Sequence, residues 1–315
     1  MPELPEVEHL RRTLEPKLLG RRIVSATLHR RDVAVGPKDP QGGFARQRTA
    51  VRPSRLTRPQ MLDGASIGAI DRRGKFLAIV ATDGRALGVH LGMTGQLLWA
   101  LPAGRLPTDH VHASWRLDDR SRLIFRDPRR FGGLWLAGNR DALPPWGKLG
   151  PDALTLPSQE LPKLFSGVRR AVKAALLDQG LLAGVGNIYA DEALHTAGIH
   201  PSDVACDLSP HALRTLGRAL GDLLAASVRA GGSTLRDYRG AEGQRGAFQL
   251  QHAVYGRAGQ PCKSCGQKLA CGLIGQRTTV WCPSCQRPQT AHRLSTKTRV
   301  DLDGSGPPAL STLSI

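Results

Sequence analysis

The sequence predicts an α+β protein in which an N-terminal antiparallel β-sandwich, carrying one N-terminal helix, precedes a C-terminal helical domain and a β-hairpin held by four cysteines. Three observations carry that expectation. Apolar residues recur at three- and four-residue steps near the start. Short segments rich in Val, Ile, Leu, Trp and Phe follow, separated by turn residues. Near the end, Cys262-x2-Cys265 is matched by Cys282-x2-Cys285.

The helix is read from Val7, Leu10, Leu14 and Leu18, with Gly20 as its stop, and the acidic residues around its first turn suit the positive end of the helix dipole. Segments 22–29, 75–82, 86–99, 111–118, 121–126 and 133–137 are read as antiparallel strands. Residues 33–60 interrupt them with Gly, Pro, Arg and Gln and hardly any apolar periodicity, so they are expected to form a solvated insertion loop. The first domain is therefore placed at 1–142, and the Pro-rich stretch 143–157 is expected to be a hinge. Helices are expected near 158–180, 187–197 and 209–230, giving a second domain over 158–261. The metal hairpin takes 262–287, and 288–315 is a polar tail expected to lack fixed structure.

Lys and Arg number 44 against 26 Asp and Glu, a formal charge of +18, which favours a polyanionic partner. Nucleic acid ranks ahead of an anionic membrane surface. There is no run of about 18 apolar residues, and Glu3, Glu6 and Glu8 stand where a signal peptide would be basic and then apolar. A cytoplasmic protein with no membrane span is expected.

Four of the six cysteines have metal spacing rather than the pattern of a disulfide framework, and zinc is the natural ion. Four thiolates close a tetrahedral site and leave no position for a reactive water, so Cys262, Cys265, Cys282 and Cys285 point to one structural zinc per chain. Cys206 and Cys271 lie outside this pattern and are read as small, partly buried residues.

The chain opens Met1-Pro2-Glu3-Leu4-Pro5-Glu6-Val7-Glu8. A small residue at position 2 is what methionine removal requires, and a free N-terminal proline is a secondary amine able to attack an electrophilic carbon such as a sugar C1′. Glu3 beside it is placed to move protons. Taken alone, such a proline more often serves only as the first residue of a helix. Lys75 opens a strand after a turn, and alone would read as a solvated surface lysine. Met93 lies in a Gly-x-Thr-Gly turn, an exposed setting for a side chain that is normally core. Asn187 follows Gly184-x-Gly186 at the expected start of a helix, where free N–H groups can cap or bind phosphate.

Six blocks together change these readings. The opening segment, Arg72-Arg73-Gly74-Lys75, His90-Leu91-Gly92-Met93-Thr94-Gly95, Asp127-Pro128-Arg129-Arg130-Phe131-Gly132, Gly184-Val185-Gly186-Asn187-Ile188-Tyr189-Ala190 and the cysteine hairpin occur in the order found in the formamidopyrimidine-DNA glycosylase family. The chain resembles that family from residue 1 to about 287, apart from the 33–60 insertion. The resemblance implies a bifunctional DNA glycosylase and abasic-site lyase of base excision repair, acting as a nucleoid-associated monomer on double-stranded DNA that contains oxidised purines. It implies a helix–two-turn–helix motif in the second domain and an iminium intermediate on Pro2, with Glu3 moving protons and strand cleavage by β,δ-elimination.

The same resemblance gives Lys75 a phosphate contact beside the lesion. It makes Met93, Arg129 and Phe131 a wedge into the stack that a flipped base leaves, a role that apolar and planar side chains suit. Asn187 and Arg169 are implied to grip the DNA backbone, and Arg277 to bind phosphate at the lesion and support the second elimination.

The sequence departs from the family in two places. Thr108 stands before Asp109-His110-Val111 where relatives commonly carry histidine, and the 33–60 insertion is longer than the usual connection. An endonuclease VIII-like relative with a preference for oxidised pyrimidines is the nearest alternative. Such proteins typically begin Pro-Glu-Gly-Pro-Glu, whereas this chain has Leu4. The segment from Gly231 to Tyr238 and Val254-Tyr255-Gly256-Arg257 also look like the purine-specific branch. A non-catalytic damage-sensing module on the same scaffold is the alternative from another class, and the presence of Pro2, Glu3 and Lys75 speaks against it.

Overall fold

A computed structural model describes residues 2–34, 61–233, 241 and 248–289. Most of the expected 33–60 insertion, residues 234–240 and 242–247, and most of the tail therefore lie outside the described residues. The chain divides into two units. The first comprises Met1–Leu156, Asp178–Gly186 and Leu220–Gln251, and the second Pro157–Leu177, Asn187–Ala219 and His252–Ile315.

In the first unit, helix α1 (Leu4–Leu18) forms where the apolar spacing predicts it, with Glu3 as N-cap and Glu6 completing a capping box. Two four-stranded antiparallel sheets follow. One has the order β1-β6-β7-β5, from β1 (Ile23–Leu28), β6 (Val111–Leu117), β7 (Arg122–Arg126) and β5 (Gln96–Ala100). The other has the order β2-β3-β4-β8, from β2 (Ile67–Arg73), β3 (Phe76–Ala81), β4 (Ala86–His90) and β8 (Gly133–Ala137). Inward residues of both sheets, among them Ile70, Leu77, Leu97, Trp115 and Phe125, share one core with Leu10 and Leu14 of α1. Burying each such side chain contributes about 1.5–3 kcal/mol, and the one polar atom of Trp115 is satisfied by Met61 O at 3.0 Å.

Three expectations need correction. Segment 86–99 is two strands in different sheets, because Gly92 takes a positive φ of 61° and turns the chain between them. Strand β2 was not anticipated. A register shift between Ile67 and Ala69 disturbs the two-residue alternation on which a strand is recognised. The helix expected over 158–180 is only α2 (Leu161–Leu164) and α3 (Val172–Leu176), interrupted at Gly167, whose φ is 74°.

The second unit continues with α4 (Asn187–Thr196) and then, after residues 197–209, α5 (Pro210–Arg229), whose residues from Leu220 onward belong to the first unit. The hairpin of β9 (Ala270–Ile274) and β10 (Arg277–Trp281) completes it. Among the described residues, no helix is long and apolar enough to cross a membrane.

A buried ion network in the first unit fixes the turn that ends at Lys75. Arg72 donates from Nε to Glu8 Oε2 at 2.8 Å and, with both terminal nitrogens, to Asp152 at 2.6 and 2.9 Å. Asp152 also accepts from Gly74 N at 2.7 Å, so one carboxylate holds both the arginine and the turn. Burial alone would raise the pKa of Glu8, but hydrogen bonds from Arg11, Arg12 and Arg72 and the charge of Arg72 outweigh it and hold the carboxyl at about 2. A depressed folded-state pKa gives stability that is present above the unfolded value of 4.5 and is lost as pH falls toward 2. Thermal melts from pH 5 to pH 2 should therefore show a falling midpoint. In Glu8→Gln the midpoint should start lower and fall less steeply, and an unchanged slope would remove Glu8 as its cause.

Candidate functional site

The head of α1 is built by close backbone approach. Glu3 N donates to Glu6 Oε2 at 2.7 Å, and Glu3 is only 2% exposed. Because Glu3 is the cap, Pro2 precedes the helix and is not its first residue; the proline inside the first turn is Pro5. Pro2 is buried. Leu4 N donates to Gly184 O at 3.2 Å. A Cβ on Gly184 would lie 2.3 Å from Leu4 Cδ1, and one on Gly186 would lie 2.3 Å from the carboxyl carbon of Glu3. A side chain at either place would have to displace Leu4 or the Glu3 carboxyl, so both glycines of Gly184-x-Gly186 serve the N-terminus. Gly74, with a φ of 56°, packs against Ala183 and Gly184 from the other side. Lys75 and Glu3 thus sit on neighbouring parts of one backbone segment. Lys75 is 7% exposed, which excludes the solvated surface lysine considered from the sequence.

Glu6 is a residue the sequence did not single out, since an acidic side chain in a first helical turn reads as a dipole complement. Its second oxygen accepts from Ser233 N at 2.6 Å, and a Cβ on Gly232 would come within 2.7 Å of that oxygen. One carboxylate therefore joins the Glu3 amide to the start of the segment after α5. Residues 234–238 of that segment, part of the purine-branch resemblance, lie outside the described residues.

Met93, Arg129 and Phe131 come together on two adjacent loops of the sandwich. Met93 is 42% exposed, Arg129 is exposed and Phe131 is half-buried, and the Arg129 guanidinium lies over the Phe131 ring at 4.5 Å from its centroid.

In the second unit, Asn187 is the first residue of α4, and its Nδ2 donates to Thr278 O at 2.8 Å, which ties it to the residue after Arg277. Arg277 is exposed beside Gly275 and Gln276, whose φ values of 56° and 61° make the tight hairpin turn. Arg169 is exposed in the loop between α2 and α3, away from any contact with these two that the structure records. The hairpin is locked to the helices by Lys173, which donates to Thr278 O at 3.0 Å and Thr279 Oγ1 at 2.7 Å and pairs with Asp191 Oδ1 at 2.7 Å. Asp191 in turn accepts from Val280 N at 3.2 Å. Burial pushes the Asp191 carboxyl up to about 7, against the downward pull of the Lys173 charge.

The sulfurs of Cys262, Cys265, Cys282 and Cys285 all lie within 4.8 Å of one another. A metal ion could be held there. The Ser264 amide points at Cys262 Sγ and the Cys285 amide at Cys282 Sγ, both at 3.4 Å, the bonds that a thiolate ligand accepts.

Removing Lys173 would leave the buried Asp191 carboxylate without its cation, at a cost of about 3–5 kcal/mol when ionised. In the parent protein the Asp191 carboxyl, at about 7, is mostly neutral at pH 5 and mostly ionised at pH 8, so the ion pair that the substitution removes is present mainly at pH 8. Lys173→Met should therefore speed amide exchange at Val280 and Trp281 more at pH 8 than at pH 5, after correction for intrinsic rates. An equal effect at both values would show that the ion pair does not hold the hairpin.

Comparison with known proteins agrees with this geometry. Residues 1–134 match the model of the formamidopyrimidine-DNA glycosylase N-terminal domain, and residues 149–239 match that of the formamidopyrimidine-DNA glycosylase H2TH domain. The formamidopyrimidine-DNA glycosylase of Xanthomonas oryzae pv. oryzae is 42% identical over 289 residues, covering 91% of this chain and 100% of the relative. That of Alkalilimnicola ehrlichii is 41% identical over 299 residues with the same coverage. Among solved structures, the MutM (Fpg) protein of Thermus thermophilus superposes with a TM-score of 0.73 at 40% identity, covering 92% of this chain and 100% of that one. A Lactococcus lactis Fpg in complex with an abasic site containing DNA gives 0.76 at 30% identity, covering 91% and 100%. With two matching domain models and relatives aligned along their whole length, the chain belongs to the formamidopyrimidine-DNA glycosylase family.

Proposed function

We propose that this DNA glycosylase of base excision repair excises oxidised purines, 8-oxoguanine and formamidopyrimidines, from double-stranded DNA through an iminium on Pro2. The observation that carries the proposal is the buried Pro2-Glu3 pair, with Glu3 bonded to Glu6 and seated against Gly186. Once Met1 is removed, the Pro2 nitrogen is a secondary amine whose lone pair attacks C1′ as the bond to the damaged base breaks. Glu3 passes protons to the departing base and the opening sugar oxygen. The resulting iminium acidifies C2′–H. Loss of that proton expels the 3′-phosphate, and a second elimination expels the 5′-phosphate, which is the β,δ-sequence.

Lys75, held in place by the Arg72–Asp152 turn, is assigned the phosphate beside the lesion. Met93, Arg129 and Phe131 are assigned the space left in the stack, where they replace part of the few kcal/mol that extruding a base costs. In the second unit Asn187 and Arg169 are assigned to the DNA backbone. Arg277, exposed at a rigid hairpin tip, is assigned the lesion's phosphate and the second elimination. The chemistry of the four cysteines fits one structural zinc. Tetrahedral Zn–S bonds of about 2.3 Å need sulfurs about 3.8 Å apart, and Cys265 Sγ and Cys282 Sγ are 3.5 Å apart. Bound there, the ion supplies cross-linking of the hairpin and no reactive water. The charge of +18 supplies salt-dependent affinity for phosphates.

A cleavage panel on duplexes carrying 8-oxoguanine, formamidopyrimidine, thymine glycol or a preformed abasic site tests this reading. Both purine lesions should be excised with 3′-phosphate ends, and thymine glycol should be slower by about tenfold or more. Glu3→Gln should lose base release and keep cleavage at the preformed abasic site. A preference for thymine glycol would make the protein a pyrimidine enzyme, and binding without excision of any lesion would make it a damage sensor.

A further inference from the structure

The three wedge candidates are carried by two loops, and the topology explains why those loops are neighbours. Strands β4 and β8 pair in one sheet, with His90 opposite Gly133, while β5 and β7 pair in the other, with Gln96 opposite Arg126. The β4–β5 connection, residues 91–95, and the β7–β8 connection, residues 127–132, therefore cross between the sheets side by side at one end of the sandwich. Their backbones touch. A Cβ on Gly92 would lie 2.3 Å from the carbonyl carbon of Phe131, and one on Gly132 would lie 2.6 Å from His90 O.

At the centre of this contact sits Asp127, which is 0% exposed. Its Oδ1 accepts from Thr94 Oγ1 at 2.5 Å and its Oδ2 from Gly132 N at 2.7 Å. Thr94 Oγ1 also accepts from Arg129 N at 3.3 Å. The backbone oxygen of Asp127 faces His112 Nε2 at 2.8 Å. Between the two wedge candidates of this loop, Arg130 takes a positive φ of 58°, a conformation that costs a non-glycine residue energy unless its surroundings impose it. Its guanidinium is drawn to Asp32 at 2.7 Å. The loop conformation thus depends on acceptor oxygens of the Asp127, Thr94 and Asp32 side chains, which are not themselves among the wedge candidates.

We infer that the Thr94–Asp127 pair is a positioning clamp which locks the Met93 loop to the Arg129–Phe131 loop, so that the three side chains enter the base stack as one preformed wedge. The inference rests on the proposed function, because it assigns the clamp to base extrusion. The bond is an O–H donor on a buried carboxylate, and its loss leaves that carboxylate short of a partner in both free and DNA-bound protein. The wedge would then have to be ordered at the moment of insertion. Extrusion slows, and chemistry at the sugar does not.

Thr94→Val removes the hydroxyl at constant shape, Thr94→Ser restores it, and Asp127→Asn replaces the carboxylate with an amide of the same size. Three readouts separate the roles: amide exchange at Arg129 and Gly132 in free protein, stopped-flow fluorescence of 2-aminopurine beside an 8-oxoguanine, and cleavage of a single-stranded abasic oligonucleotide. In Thr94→Val and Asp127→Asn, exchange should speed up and extrusion slow by about tenfold, the loss of one hydrogen bond to a charged group. Single-strand cleavage should stay within about twofold, because no paired stack has to be filled, and Thr94→Ser should behave as the parent protein. Unchanged extrusion in both variants, or loss of single-strand cleavage in the same proportion, overturns the clamp. So does failure of both variants to fold, which would make the pair structural. If the parent protein protects both amides but extrudes nothing from any lesion duplex, the proposed function fails and takes the clamp's assignment to extrusion with it.

Discussion

At residues 184 and 186 a backbone runs so close to the head of α1 that an added side chain would have to displace Leu4 or the Glu3 carboxyl, and the geometry of the proposed reaction centre follows from that approach. Gly186 leaves room for the Glu3 carboxylate, Gly184 for Leu4, and the Gly74 turn leans on the same segment from the opposite side. The proposed N-terminal nucleophile and the lysine after the turn are thereby referred to one backbone segment, although they are far apart in the chain. Fixing reacting groups on a common support is how a protein supplies orientation before any substrate arrives.

The charges behind this segment have a structural role that the basic composition conceals. Arg72 and Arg73 look like surface cations in an Arg-Arg-Gly-Lys run, yet Arg72 is shared between Glu8 and Asp152, and Arg73 donates to the carbonyls of Trp146 and Leu149. Both guanidiniums are engaged by acceptors of the protein itself, and Arg72 with Asp152 holds the turn before Lys75. The second unit uses the same device. Lys173 directs its ammonium to Asp191, Thr278 and Thr279, so a buried cation fixes the strand that begins with Arg277. Positive charge in this protein is thus divided between buried residues that fix geometry and exposed ones, such as Arg129, Arg169 and Arg277, that remain open to a polyanion.

Much of this was legible in the sequence because it is locally encoded. The α1 periodicity, the alternating strands at 111–118 and 121–126 and the cysteine spacing all reappear within a few residues. What escaped depends on partners distant in the chain. β2 was hidden by its register shift, and the helix over 158–180 was overextended because Gly167 breaks an otherwise helical composition. Glu6, Thr94 and Asp127 carried no signal of their own, since their partners are Ser233, each other and Gly132. Gly186 reads only as part of the approach to a helix start at Asn187, whereas its steric partner is the carboxylate of Glu3, far away in the sequence.

The most direct test of this account is borohydride reduction on an 8-oxoguanine duplex, where the base must leave before the iminium forms, with the parent protein and Gly186→Ala compared side by side and the adduct mapped by peptide mass. The account predicts an adduct on the N-terminal peptide that begins at Pro2. It also predicts that Gly186→Ala, folded by circular dichroism, traps at least about tenfold less because the added methyl displaces the Glu3 carboxylate. An adduct on a lysine, or full trapping by Gly186→Ala, would contradict it.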